Sequence, residues 1–202
     1  FVVILGSVLT VGAGSVLYVV GSHYYKQRSP VYLTAQGQEA EKKGDMDIAL
    51  SFYSRAAQRA VEAHAVNADA LCLKAGDLAM KLSGTEKERS RAQSLYNAAR
   101  QAWEAALTEN PRYLPAREEL TDDQHQTAET FGQPAMWTAL EQDTTKLIEI
   151  SPKNSKAYVY RAEARLELLR LGAAGREALD ATITSIDNDL KKAQELDPAN
   201  TR

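Results

Sequence analysis

The chain has 202 residues, a quarter of them charged, and a formal charge of −3. That balance gives no general attraction to nucleic acid or anionic lipid, whose binders show a basic stripe. Its single cysteine, Cys72, excludes an internal disulfide and reads as a small buried apolar residue.

Residues 1–22 carry no charge, and half of them are Val, Leu or Ile. About twenty such residues suffice to cross a hydrocarbon core of roughly 30 Å. An Ala-x-Ala-like cleavage site is missing, so an uncleaved transmembrane anchor is expected in preference to a secretory signal. Gly6, Thr10 and Gly14 recur every fourth residue, a stripe that lets two membrane helices pack and self-associate. Residues 23–30 form a juxtamembrane linker, in which Lys26 and Arg28 would favour the cytoplasmic side.

From Pro30 to Ala60 two helical patterns meet at Lys43-Gly44-Asp45. Leu33, Gln36-Gly37 and Ala40 fall at helical spacing before the hinge. Met46, Ala49-Leu50, Tyr53 and Ala56-Ala57 do so after it. Gly37 and Ala49 are small where two antiparallel helices would cross, and Tyr53 is large where a gap needs filling. This stretch resembles the tetratricopeptide repeat, W-x-x-L-G-x-x-Y, then A-x-x-x-F, then P. Gly37, Ala49, Tyr53 (for Phe) and Ala56 fit that pattern. Leu33, Gln36, Ala40 and Val61 depart from it, standing for Trp, Leu, Tyr and the closing Pro.

The first hairpin is expected at about Val31–Lys43 and Met46–His64. A second begins near Asn67 with Leu71, Cys72, Ala75-Gly76 and Ala79, and the polar break Ser83-Gly84-Thr85 is expected to end its first helix. A long helix over about Lys87–Glu109 closes with Ala99, Trp103, Ala106 and Pro111, again at the family's spacing. Further helices are expected at about Leu114–Thr130 and Ser155–Leu171, with turns at Gly132-Gln133-Pro134 and from Gly172 to Gly175. Pro111, Pro152 and Pro198 each follow an apolar helix end, 41 and 46 residues apart. The usual repeat has about 34 residues, so these hairpins are lengthened. With no alternating strand segment, the fold class is all-α: a membrane anchor, then about four stacked hairpins over residues 31–200. Leu33, Leu50, Tyr53, Leu71, Leu95, Trp103, Leu107, Leu140, Leu147, Tyr158, Leu166, Ile186 and Leu190 are expected inside. The start without methionine and the stop at Thr201-Arg202 read as a piece of a longer protein.

The resemblance implies a concave groove lined by the first helix of each hairpin. The residues it would place there are Thr34, Gln38 and Glu41, then Leu73, Asp77 and Lys81. Glu118, Asp122 and His125 follow, then Val159, Glu163 and Glu167. Chaperone-binding members grip a carboxylate with lysine, asparagine and arginine on these faces. Thr34 and Gln38 replace the first lysine and asparagine, so that clamp is absent. The acidic bias favours a basic or polar peptide, or another subunit; an ordinary solvated face is the competing account.

Chemistry is not expected. His23, His64 and His125 are scattered, and no Cys-x-x-Cys, His-Glu-x-x-His or phosphate loop occurs. Catalytic, cofactor and metal residues are therefore none. The first functional expectation is a membrane-anchored repeat scaffold that recruits or assembles protein partners. The alternative is the anchor and spacer of a larger enzyme or of a transport or secretion machine. The location expected is a single-pass membrane protein with its repeats outside the cytoplasm, the cytoplasmic face being the alternative.

Overall fold

The computed structural model describes residues 29–172 and 179–199. Among these every regular element is an α-helix: α1 (Pro30–Lys43), α2 (Met46–Glu62), α3 (Ala68–Thr85), α4 (Arg89–Glu109), α5 (Leu114–Phe131), α6 (Pro134–Ile150), α7 (Ser155–Arg170) and α8 (Leu179–Leu196). Short links make successive helices fold back on one another, so α1 packs on α2, α3 on α4, α5 on α6, and α7 on α8. The hairpins also stack, α2 on α3 and α6 on α7. The chain divides into two compact units, the first ending at Glu109 and the second beginning at Asn110.

One expectation is corrected outright. Among the described residues no helix is long and apolar enough to cross a membrane, and a single-pass membrane location is not sustained. The segment 1–22 on which it rested, with Gly6, Thr10 and Gly14, lies outside the described residues, as does His23.

Local chemistry sets the helix ends. The Ser29 hydroxyl accepts from the Tyr32 amide at 3.2 Å, and Pro30 occupies the first turn, where its missing N–H costs nothing. Gly44 closes α1 in the left-handed conformation, φ 83°, and its N–H reaches the Ala40 and Glu41 carbonyls. Gly132 ends α5 in the same way, φ 63°. Asn154 caps α7, accepting from the Ala157 amide at 3.1 Å. Gly84 behaves differently from its expectation. The α3 helix runs through it to Thr85 and stops at extended Glu86.

Unit 1 is organised by two glycine–aromatic contacts. A Cβ on Gly37 in α1 would stand 2.9 Å from the Tyr53 ring of α2; one on Gly76 in α3 would stand 2.5 Å from the Trp103 ring of α4. Each hairpin thus brings its first helix close enough for a ring on the second to lie against bare backbone. Around them Ala40, Ala49, Tyr53, Ala75 and Leu78 form one apolar cluster. Small residues dominate it because closely approaching helices leave little volume between them. In unit 2, Ala128, Trp137, Leu140 and Ala164 join α5, α6 and α7.

Most of the expected core is inside, with Leu33, Tyr53, Trp103, Leu140 and Leu147 nearly or fully inaccessible. Leu50, Leu95 and Leu107 are half-buried. Leu166 and Leu190 are exposed instead. On α7 the buried stripe runs through Ala157, Tyr158, Ala162 and Ala164, and on α8 through Ile186, Asp189 and Ala193. The face of α8 that holds Asp189 takes the place expected for Leu190.

The interior of unit 2 holds an ionic network across α7 and α8. Arg161 donates through Nε and Nη2 to both oxygens of Asp189, at 2.9 and 2.6 Å. Arg165 reaches the same carboxylate at 2.8 Å and Glu141 of α6 at 2.7 Å. A buried carboxylate persists only when paired and hydrogen-bonded, and Asp189 meets both conditions.

Candidate protein-binding face

Each hairpin's first helix presents a polar stripe, and most of the acids on it are engaged within the molecule. In unit 1, Glu41 of α1 accepts from Lys74 of α3 at 2.9 Å and from the Tyr53 hydroxyl at 2.8 Å. The Lys74 hydrogen bond, then that of Tyr53, holds the Glu41 carboxyl below its ordinary range. Burial, reinforced by Glu41, pushes the Tyr53 phenol up to about 12. Asp77 accepts from the Trp103 indole N–H at 2.9 Å, satisfying a donor that is otherwise inside the protein. Thr34 donates to the Pro30 carbonyl of its own helix at 2.8 Å. Gln38 is exposed and Leu73 half-buried.

In unit 2 two stripes face each other. Glu118, Asp122, His125 and Glu129 of α5 follow the spacing four, three, four, one face of a helix. Lys156, Tyr160, Glu163 and Glu167 repeat it on α7. Three rungs cross between α5 and the start and body of α7. Asn154 Nδ2 donates to Glu118 at 2.8 Å, Lys156 Nζ to Asp122 at 2.6 Å, and His125 Nε2 lies 2.7 Å from Glu163. The His125 ring stacks on Tyr160, centroids 3.8 Å apart and planes within 8°. Trp137 of α6 meets His125 edge-on, centroids 6.4 Å apart. Burial alone would lower the Lys156 ammonium, but the Asp122 hydrogen bond and charge outweigh it and the net direction is up. Burial also raises the Tyr160 phenol.

Alongside these rungs lies a cavity of about 750 Å³, lined by Asp122, His125, Glu129, Lys156, Tyr160 and Glu163, with Val159 and, just past α8, Asp197. Its charged lining is four carboxylates against one ammonium. The carboxylate of Glu129 is the least committed, 61% exposed and 3.7 Å from His125 Nδ1. The structure therefore brings Asp122, His125, Val159 and Glu163 of the expected groove residues to one cavity. Glu118 stands on the same stripe, bonded to Asn154.

Sequence reasoning passed over Lys156, Tyr160 and Glu129, although each sits at the stripe's own spacing. It also missed the Arg161–Asp189–Arg165 network. The pair Arg161/Arg165, four apart on α7, was the available signal, since both would face one neighbour. Among the described residues no group of three or more His, Cys, Asp or Glu side chains is placed to hold a metal ion.

These elements define the class: an all-α protein of antiparallel helix pairs. No family model matches the chain, and no curated protein does. Among solved structures, thirteen chains match. One is the crystal structure of MamA protein, 16% identical, covering 86% of this chain and 96% of that one, with a TM-score of 0.37. Overlap that loose carries no argument about function.

Proposed function

We propose that this chain is a non-catalytic helical-repeat scaffold that binds protein, and that the α5–α7 face of unit 2 receives a basic peptide segment. The observation that carries the reading is the cavity of about 750 Å³ in which Asp122, Glu129, Glu163 and Asp197 outnumber Lys156. A site with that excess of carboxylate attracts cationic side chains and repels acidic ones. The stacked rings of His125 and Tyr160 line the same cavity, and the Lys156 ammonium over the Tyr160 ring, 5.4 Å from its centroid, shows that this wall accommodates a cation. The tetratricopeptide-like pattern of residues 30–60 belongs to this reading, because repeat stacks present extended binding surfaces.

The test follows from which acids are free. Charge reversal at Asp77 would unseat Trp103, and reversal at Asp122 or Glu163 would break a rung, so each would confuse binding with stability. Glu129→Lys leaves every rung intact. Titration of the chain with acetyl-Arg-Lys-Ser-Arg-amide and with acetyl-Glu-Asp-Ser-Glu-amide should show binding of the basic peptide alone. Glu129→Lys should weaken that binding, as should added salt. Equal binding of the two peptides, or indifference to Glu129→Lys, overturns the reading.

A further inference from the structure

A second cavity, about 380 Å³, adjoins the first and shares Glu129 and Glu163 with it. Its remaining walls are Gly132, Trp137, Leu166, Glu167 and Arg170. Three carboxylates line it, and its one guanidinium, on Arg170, is paired with Glu167 at 2.7 Å. The apolar surface that this recess offers to a partner is Leu166. Leu166 is one of several exposed large apolar side chains, 54% exposed, but it lines a cavity beside acids, where the Trp137 residue is 5% exposed. Gly132 ends α5 there without a side chain, and nothing lies within 4 Å of where its Cβ would be. The cavity is therefore a half-apolar recess with acid along one edge.

We infer that this recess seats a large apolar side chain of the bound segment, so that the partner's recognition element is a basic residue adjacent to a leucine-like one. The inference rests on the proposed peptide-binding role of the α5–α7 face. Charge complementarity selects the occupant: Glu129 and Glu163 border both cavities, so a cation held between them carries its neighbour to the recess. There the neighbour covers Leu166, which is otherwise in water. Removing that apolar surface from solvent is favourable in proportion to its area, and the basic residue supplies direction and selectivity.

The chain has two tryptophans, each with a distinct indole proton. Trp103 donates to Asp77, whereas the Trp137 indole nitrogen has no hydrogen-bond partner among the described residues, so the first serves as a control for the second. The chain is titrated with acetyl-Arg-Lys-Leu-Arg-amide and acetyl-Arg-Lys-Ser-Arg-amide while both indole resonances are followed. The leucine peptide should bind about fivefold tighter or more and move the Trp137 resonance, leaving Trp103 in place. Leu166→Gln, a change at an exposed position, should erase the difference between the peptides while the serine peptide still binds. Equal affinity of the two basic peptides overturns the apolar seat and leaves the basic-peptide reading standing. Persistence of the leucine preference in Leu166→Gln also overturns the seat. Failure of both basic peptides to bind overturns the two together.

Discussion

The Trp103 indole lies so close to Gly76 that a Cβ on that glycine would stand 2.5 Å from Nε1 and 3.1 Å from the Ala99 carbonyl oxygen. The ring is 1% exposed and is tied to Asp77 by its N–H, so it has no free direction in which to retreat. Gly84, further along the same helix, has nothing within 4 Å of its Cβ position. Gly76→Ala should therefore destabilise unit 1 by about 1–3 kcal/mol, the cost of overpacking. Gly84→Ala should stabilise it by up to about 1 kcal/mol, because alanine favours helix. Denaturant midpoints of the two variants moving in opposite directions is the expected outcome; a shared direction would show that the close approach is relieved cheaply.

Burial of the Tyr53 phenol, with its hydrogen bond to Glu41, makes stability depend on alkali. An ordinary tyrosine loses its proton near 10, whereas folded Tyr53 holds its proton up to about 12. Between those values the folded state binds more protons than the unfolded one, so stability falls as pH rises through the window. Tyr53→Phe should flatten that decline relative to the parent and cost about 1 kcal/mol at neutral pH for the lost bond. Denaturant unfolding of both proteins at neutral and alkaline pH measures the difference. Glu41 works in the opposite sense, since its lowered carboxyl contributes stability at neutral pH that is lost on acidification.

Cys72 is 3% exposed, and burial first, then the charges of Glu109 and Asp69, pushes its thiol up to about 11. The thiolate is the reactive form, so the native protein should label only slowly with a disulfide reagent at neutral pH. Full labelling should appear on unfolding in denaturant. Immediate stoichiometric labelling of the native chain would contradict the packing of α3.

Asp189 is 5% exposed and receives two guanidinium groups. Asp189→Ala would strip Arg161 of the carboxylate it grips with two N–H groups, while Arg165 keeps Glu141, a cost of about 3 kcal/mol. The loss should appear in denaturant unfolding of unit 2. A cost below about 0.5 kcal/mol would class the network with ordinary surface ion pairs.

Much of the helical architecture was legible because it depends on local spacing. Gly37 and Tyr53, like Gly76 and Trp103, stand at places where small and large residues complement one another across a hairpin, and the structure joins both pairs. Helix limits read from Gly44 and Gly132 also agree with the fold, since caps act within a few residues, whereas Pro134, placed in the turn, opens α6 instead. Gly84 shows the weakness of the same signal: a glycine ends a helix only when the backbone turns left-handed there, and that choice belongs to the packing of α3 on α4. Leu166 and Leu190 failed for a related reason. Periodicity gives the faces of a helix but not their order of burial, and the network around Asp189 claimed the inner face of α8.

The chain's own order of residues determined that it forms paired helices, because small and apolar side chains recur every three or four positions and glycine, proline and asparagine punctuate them. Which acids stay available to a partner was decided by tertiary structure alone. Glu41, Asp77, Glu118, Asp122 and Glu163 look equivalent along the sequence, yet each meets a donor or ring from a different helix, while Glu129 is left largely in water. Hydrogen bonding acts over about 3 Å, a distance that only the folded arrangement of distant segments can set.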